Sequence, residues 1–227
     1  MPKFKTIALL FFVCLYPTIN SQEKSLPKGF VYLTDIEPSI SHELRYITNN
    51  NFIGKPIDGY VKNTVVISQP TAMALKKIQQ KLLKFGLSLK IFDAYRPQQS
   101  VNHFVKWARV LNDTLMKSQY YPDVPKSELF KRGYIASKSG HTRGSTVDLT
   151  LIDLKTATEL NMGSPYDFFG TPSHPMYSKI SKKQRANRLL LREIMLNNGF
   201  KPYENEWWHF TLKNEPYPNT YFDFPIK

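Results

Sequence analysis

Two short segments carry side chains whose types and spacing could do chemistry. They are Ser139-Gly-His141-Thr-Arg-Gly-Ser-Thr-Val-Asp148 and, about sixty residues later, Glu206-Trp-Trp-His209. Together they offer two imidazoles, a carboxylate that could bind a metal and a second carboxylate that could act as a base. Three N/O ligands with an open fourth position make a catalytic zinc site, and a nearby Glu then does the proton work. A His and an Asp with six residues between them, or an isolated Glu-x-x-His, says little alone; the conjunction carries the reading. His42, His103 and His174 complete the five histidines and stand without a comparable partner pattern, as surface or supporting residues.

The elements around these segments can bring them together. Ser145 to Leu151 reads as a strand, with Val147, Leu149 and Leu151 on one face and Thr146, Asp148 and Thr150 on the other. A second strand over Trp208–Leu212 puts His209 and Thr211 on one face. Asp148 and His209 can then meet, with His141 entering from a Gly-flanked turn. Glu206 needs an irregular turn through Trp207 to reach the same place, beside a metal rather than on it, where a general base belongs.

The rest of the chain reads as interspersed helices and strands. Pro70 and Thr71 open a helix with Ala74, Leu75, Ile78, Leu82 and Leu83 as its apolar stripe, and Gly86 stops it. Helices are also predicted over Gln98–Leu111 (Val101, Phe104, Val105 and Ala108 inward) and Lys182–Asn198, the latter ended by Gly199. Short strands are expected at Thr64–Ser68 and Leu87–Phe92. Residues 22–46 read as a polar lead-in, and 49–60, 112–138 and 161–175 as irregular. Neither a βαβ rhythm nor a glycine-rich phosphate loop occurs, so the fold class is α+β, a single domain with a small, mostly antiparallel sheet flanked by helices.

The chain has 227 residues, enough for one sizeable core. Lys3 and Lys5, an apolar run from Ile7 to Tyr16, and the polar Thr18–Ser21 form the order of a secretory signal peptide over residues 1–21, leaving 22–227 as the working domain. The alternative is a retained membrane anchor, for which the run is short. An exported protein in the periplasm or at the cell surface is therefore expected, without stable membrane insertion once the signal is removed. Cys14 is the only cysteine and lies in that run, so the remainder can form no disulfide and use no thiolate ligand. The formal charge is +13, but the lysines are scattered and no nucleic-acid module is present. A cationic protein working near anionic wall polymers or lipid fits better.

The first segment resembles the Ser-x-His-x-x-Gly-x-Ala-x-Asp motif of the zinc D-alanyl-D-alanine dipeptidases of peptidase family M15, and Glu206-Trp-Trp-His209 resembles their Glu-x-x-His motif. The likeness continues through Asn51–Tyr60, Asp93-Ala-Tyr-Arg-Pro97, Met162–Phe169, Asn187–Arg192 and Gly199-Phe200, covering nearly the whole chain after residue 21. It implies a Hedgehog/DD-peptidase-like fold and one zinc ion per chain on His141, Asp148 and His209. Glu206 is then the catalytic base and Arg96 stabilises the charged transition state. Tyr46 and Asp167 would receive the ammonium of a small dipeptide, and Ser139 and Tyr60 its carboxylate. Thr146 departs from the motif's Ala. For Arg96 a structural ion pair with Asp93 stays open, as does a loop-capping role for Asp167. D,D-carboxypeptidase or L,D-peptidase action on longer muropeptides is the nearest alternative. A catalytically silent, zinc-stabilised wall-binding module is the alternative of another class.

Overall fold

The computed structural model describes residues 26–227, so the expected signal peptide at 1–21 lies outside the described residues. In chain order the first elements are β1 (Phe30–Tyr32), α1 (Leu33–Ile36), β2 (Ser41–His42), β3 (Val66–Ser68) and α2 (Gln69–Leu83). There follow β4 (Leu87–Asp93), α3 (Gln98–Arg109), α4 (Lys117–Tyr120), β5 (Thr146–Asp153) and β6 (Thr158–Glu159). Helix α5 (Lys182–Leu196) and the hairpin β7 (Phe200–Tyr203) and β8 (Glu206–Leu212) complete the fold. The lead-in is therefore not featureless. Its elements are two to four residues long, too short for periodicity to reveal.

The main sheet runs β2-β4-β5-β8-β7, with β6 beside β5, and only the β2–β4 pair is parallel. The α+β class with a mostly antiparallel sheet holds. Helix α2 starts with Pro in its first turn, as Pro's fixed φ favours, and Gly86 follows it at φ 69. A capping box between Ser181 and Gln184 opens α5. In α2, Leu75, Ile78 and Leu82 are fully buried, whereas Leu83 is exposed and falls outside the stripe predicted for it.

Two apolar clusters result. One lies under the sheet, where Leu89, Ile91, Val147, Leu149 and Leu151 meet α2 and α5. The other is aromatic and gathers Tyr46, Phe52, Phe104, Trp107, Tyr121 and Phe169 around α3. The 112–138 stretch, expected to be irregular but carrying the one-turn α4 and a 3-10 turn at Lys126–Glu128, and the C-terminal tail belong to this second cluster, through Tyr120, Tyr121, Phe224 and Ile226. Ile226 donates its N–H to the Gly59 carbonyl at 2.8 Å, fixing the tail to the 49–60 loop.

Candidate active site

β4, β5 and β8 are adjacent, and their pairing sets out a row of polar side chains. Asp148 stands opposite His209, and Thr146 opposite Thr211, in regular antiparallel register. Ordinary register from Ile91↔Leu149 would put Phe92 opposite Asp148, but the ladder slips and Asp93 takes that position. A residue pair facing each other across strands points to one side, so this bulge turns Asp93 towards Asp148. A larger irregularity lies on β8: partners pass from Pro202↔Phe210 directly to Tyr203↔Glu206. The extra residues Trp207, Trp208 and His209 curl the strand, and Glu206 Oε2 comes 3.4 Å from His209 Nδ1. That is the irregular turn expected at Trp207.

His141 sits in a 3-10 turn, Gly140–Arg143, capped by Ser139, whose Oγ accepts the His141 N–H at 3.3 Å. Its Nδ1–H donates to the Ala94 carbonyl at 2.7 Å, which fixes the tautomer and leaves the Nε2 lone pair facing Asp148. His141 Nε2 lies 3.3 Å from Asp148 Oδ1 and 3.3 Å from His209 Nδ1, and His209 Nδ1 lies 3.0 Å from Asp148 Oδ1. Ligands about 2.0–2.1 Å from a tetrahedral ion are about 3.3 Å apart, so these three atoms have the spacing of a zinc set. Asp148 Oδ1 is buried and has no hydrogen-bond partner, although a buried carboxylate oxygen is costly to leave unsatisfied. The three residues can hold a metal ion. Burial alone would raise the Asp148 carboxyl, but the imidazoles of His141 and His209 hold it well below the usual carboxylate range. His209 is shifted down by burial, towards the neutral form that binds metal.

Glu206 is directed into the same place without belonging to the ligand set. Burial, then the charges of Asp148 and Asp167, raise its carboxyl well above the ordinary value. Arg96 enters from the turn after β4. Its Nε and Nη2 reach Asp93 Oδ2 at 2.9 and 2.8 Å, while Nη2 stands 3.6 Å from Asp148 Oδ2. The guanidinium lies over the Tyr46 and Phe104 rings, 5.2 Å from each centroid. The ion pair with Asp93 is thus present, and Arg96 lines the cavity as well.

That cavity measures about 240 Å³ and is bounded by Tyr46, Arg96, Ser139, Asp167, Glu206 and the His141–Asp148–His209 triad, among others. Drug-sized ligands occupy pockets of about 300–1,000 Å³, so this one suits something smaller. Asp167 has a left-handed backbone (φ 62), and its Oδ2 accepts the Tyr46 hydroxyl at 2.8 Å. Burial, then the Asp148 charge, push its carboxyl up to about 7. Tyr60 does not line the cavity: its hydroxyl donates to Asp93 Oδ1 at 2.7 Å, behind Arg96. Ser139 does line it. Thr146 is fully buried and its hydroxyl pairs with Thr211 Oγ1 at 2.9 Å, so it does not crowd the ligands. A Cβ at Gly140 would stand 2.6 Å from Thr146 Oγ1, which explains the glycine there.

Sequence reasoning missed Tyr166. Its hydroxyl donates to Asp148 Oδ2 at 3.2 Å and also reaches Tyr46 Oη at 3.3 Å. It lies beside Asp167 inside the Met162–Phe169 segment of the family likeness, but no spacing singles it out. His42, His103 and His174 lie outside the triad, contacting Asn63, Asp58 and Tyr134 respectively.

Residues 27–227 match a peptidase family M15 model described as D-Ala-D-Ala dipeptidase. A D-alanyl-D-alanine dipeptidase of Enterococcus faecium is 44% identical over 199 residues, covering 88% of this chain and 98% of that protein. One from Streptomyces coelicolor is 42% identical over 197 residues (87% and 98%), and one from Escherichia coli 34% over 182 (80% and 83%). Among solved structures, a vancomycin-resistance D,D-pentapeptidase VanY mutant in complex with Zn(II) aligns at a TM-score of 0.41 and 14% identity, over 68% of this chain and 77% of that one.

Proposed function

Because the chain belongs to the D-Ala-D-Ala dipeptidase family of the M15 metallopeptidases, we propose that it hydrolyses D-Ala-D-Ala to two D-alanines with zinc as cofactor. The observation that carries this is Asp148 Oδ1, orphaned between two imidazole nitrogens at zinc-ligand spacing, with Glu206 beside it. His141 Nε2, Asp148 Oδ1 and His209 Nδ1 would hold the ion. When bound, zinc supplies Lewis acidity, polarising the scissile carbonyl and making water a better acid.

The protein's own groups do the rest. Glu206 accepts a proton from the attacking water and returns it to the amine nitrogen as the C–N bond breaks. Arg96 is pinned by Asp93 and faces the cavity, so its charge is in place where negative charge develops on the carbonyl oxygen. The Asp167 carboxylate, held by Tyr46, receives the substrate ammonium, and Ser139 serves the carboxylate end. Tyr60 contributes by holding Asp93 rather than by touching substrate. A small cavity with a carboxylate for the ammonium end and a hydroxyl for the carboxylate end favours a free dipeptide.

The basic–apolar–polar order of the first 21 residues supports export, with action in the periplasm or at the cell surface. Among the described residues no helix is long and apolar enough to cross a membrane.

The test incubates zinc-loaded protein with D-Ala-D-Ala, L-Ala-L-Ala and a pentapeptide ending in D-Ala-D-Ala, and measures free alanine. Release from the D,D-dipeptide is expected. Chelation should stop it, and Glu206→Gln with zinc retained should lower kcat by about 10²–10⁴. Cleavage of the pentapeptide alone would favour a carboxypeptidase, and unchanged turnover by Glu206→Gln would remove the proposed base.

A further inference from the structure

Residues 161–175 contain no regular structure beyond a 3-10 turn at Thr171–Ser173, yet they deliver Tyr166, Asp167 and Phe169 to the site. Asp167 does so at φ 62, a sparsely populated backbone for a residue with a Cβ. Such conformations persist only where the surroundings over-determine them. Here Tyr46 holds the Asp167 carboxylate, the Tyr120 carbonyl accepts the Phe169 N–H at 2.7 Å, and α5 holds both flanks of the segment. Arg188 on that helix is 4% exposed, and among the described residues no carboxylate pairs with it.

Its donors go to the segment's backbone instead. Nε donates to the Met162 carbonyl at 2.5 Å, Nη1 to His174 at 2.7 Å, and Nη2 to Pro172 at 2.7 Å. Nη2 also lies 3.5 Å from Ser164 Oγ. The acceptors precede and follow Asp167, so one planar guanidinium draws both ends of the segment together. Asn187, the preceding residue, adds a bond from Nδ2 to the Asn161 carbonyl at 2.9 Å. Ser164 Oγ in turn accepts Trp207 Nε1–H at 3.0 Å, and Trp207 adjoins Glu206.

An unpaired buried cation is a poor way to gain stability, because an apolar side chain of similar volume fills such a space at less cost. Burial, then repulsion from Arg185, lower the Arg188 pKa to about 10, which records that penalty. A fork of donors aimed at several carbonyls has its use in geometry.

We propose that Arg188 is a positioning residue for substrate binding. It sets the shape of 162–174 so that Asp167 meets the substrate ammonium, and through Ser164 it ties that segment to the strand bearing Glu206. The inference rests on the ammonium role given to Asp167 above.

The test uses the zinc-loaded full chain and measures kcat and KM for D-Ala-D-Ala, zinc content and circular dichroism. The variants are Asp167→Asn, Arg188→Gln, Arg188→Lys and the double Asp167→Asn/Arg188→Gln. With zinc retained, Arg188→Gln should raise KM about tenfold while kcat changes less than about threefold, the signature of lost binding rather than lost chemistry. Arg188→Lys should show the same split at smaller amplitude. In the Asp167→Asn background, Arg188→Gln should add less than about threefold, since groups acting as one unit are not additive. An unchanged KM in Arg188→Gln, or a full additional effect in the double variant, overturns the proposal. Should Arg188→Gln fail to fold, a folded Arg188→Lys with unchanged KM overturns it as well. An unchanged KM in Asp167→Asn alone removes the ammonium role itself, whatever Arg188 does, and this inference falls with it.

Discussion

Replacing Arg96 by Met asks whether this arginine serves the reaction or only the fold. Asp93 is fully buried. Without the guanidinium it keeps the Tyr60 hydroxyl at 2.7 Å and, more distantly, the His141 ring at 3.6 Å. Breaking a buried ion pair from one side costs about 3–5 kcal/mol, chiefly because the remaining charge is uncompensated. For a chain of this size each kcal/mol shifts the melting temperature by about 2–4 °C, so Arg96→Met should melt about 6–20 °C lower. Adding Asp93→Asn removes the stranded charge and leaves a carbonyl oxygen for Tyr60. The double variant should therefore regain most of the lost stability. Activity should not follow: a missing donor to developing oxyanion charge costs about 10²–10³ in kcat. Thermal melts and D-alanine release from D-Ala-D-Ala, both at saturating zinc, read the two effects separately. Recovery of kcat together with stability in the double variant would refute the catalytic role and leave Arg96 a structural partner of Asp93.

The pKa of Asp167 gives a prediction for the metal-free protein. Burial, then Asp148, raise it to about 7 in the folded state, against about 3.9 when unfolded. Its contribution to stability is thus full below the unfolded value and is lost as pH rises through about 7. Asp167→Asn does not titrate, so between pH 5 and 8 it should gain on the wild type by on the order of a few kcal/mol at most; a gap in melting temperature independent of pH would contradict this. Thr146→Ala should cost about 1–2 kcal/mol, through the Thr211 hydroxyl it leaves without a partner, and change kcat/KM less than about threefold. A large kcat/KM change at unaltered stability would show that Thr146 acts on the ligands after all.

How far the sequence reveals this site depends on which residues obey a period. Val147, Leu149 and Leu151 alternate with Asp148 and Thr150, and that period alone places the ligand face of β5. Likewise α2, α3 and α5 follow from apolar spacing with their breakers and caps. No period governs β1, β2 or the 112–138 stretch. Their pairing and their aromatic packing depend on partners tens of residues away, such as Ser68 for Phe30 and Phe169 for Tyr121. Tyr60 shows the same limit: a hydroxyl at the end of the Asn51–Tyr60 segment is aimed by tertiary packing at Asp93, not at the cavity.

The two residues that do most in the proposed chemistry besides the ligands, Arg96 and Glu206, both depend on broken register. In an unbroken ladder Asp93 would pair with Val147 and point to the opposite face, and Arg96 would lose the partner that orients it. On an unbroken β8, Glu206 would lie on the face opposite His209, three residues away. The causes are local: at the end of β4 the chain leaves for the Arg96-Pro97 turn, and the two-residue turn at Glu204-Asn205 closes the β7–β8 hairpin three residues before the ladder can resume. Regular pairing therefore supplies Asp148 and His209, the pair proposed to hold metal, and irregular pairing supplies the proposed base and the charge beside them. A substitution that restored regular register at the β4 bulge would be expected to displace Arg96, and one at the β8 bulge Glu206, while leaving the proposed ligands in place, and this separates the two halves of the proposed site physically.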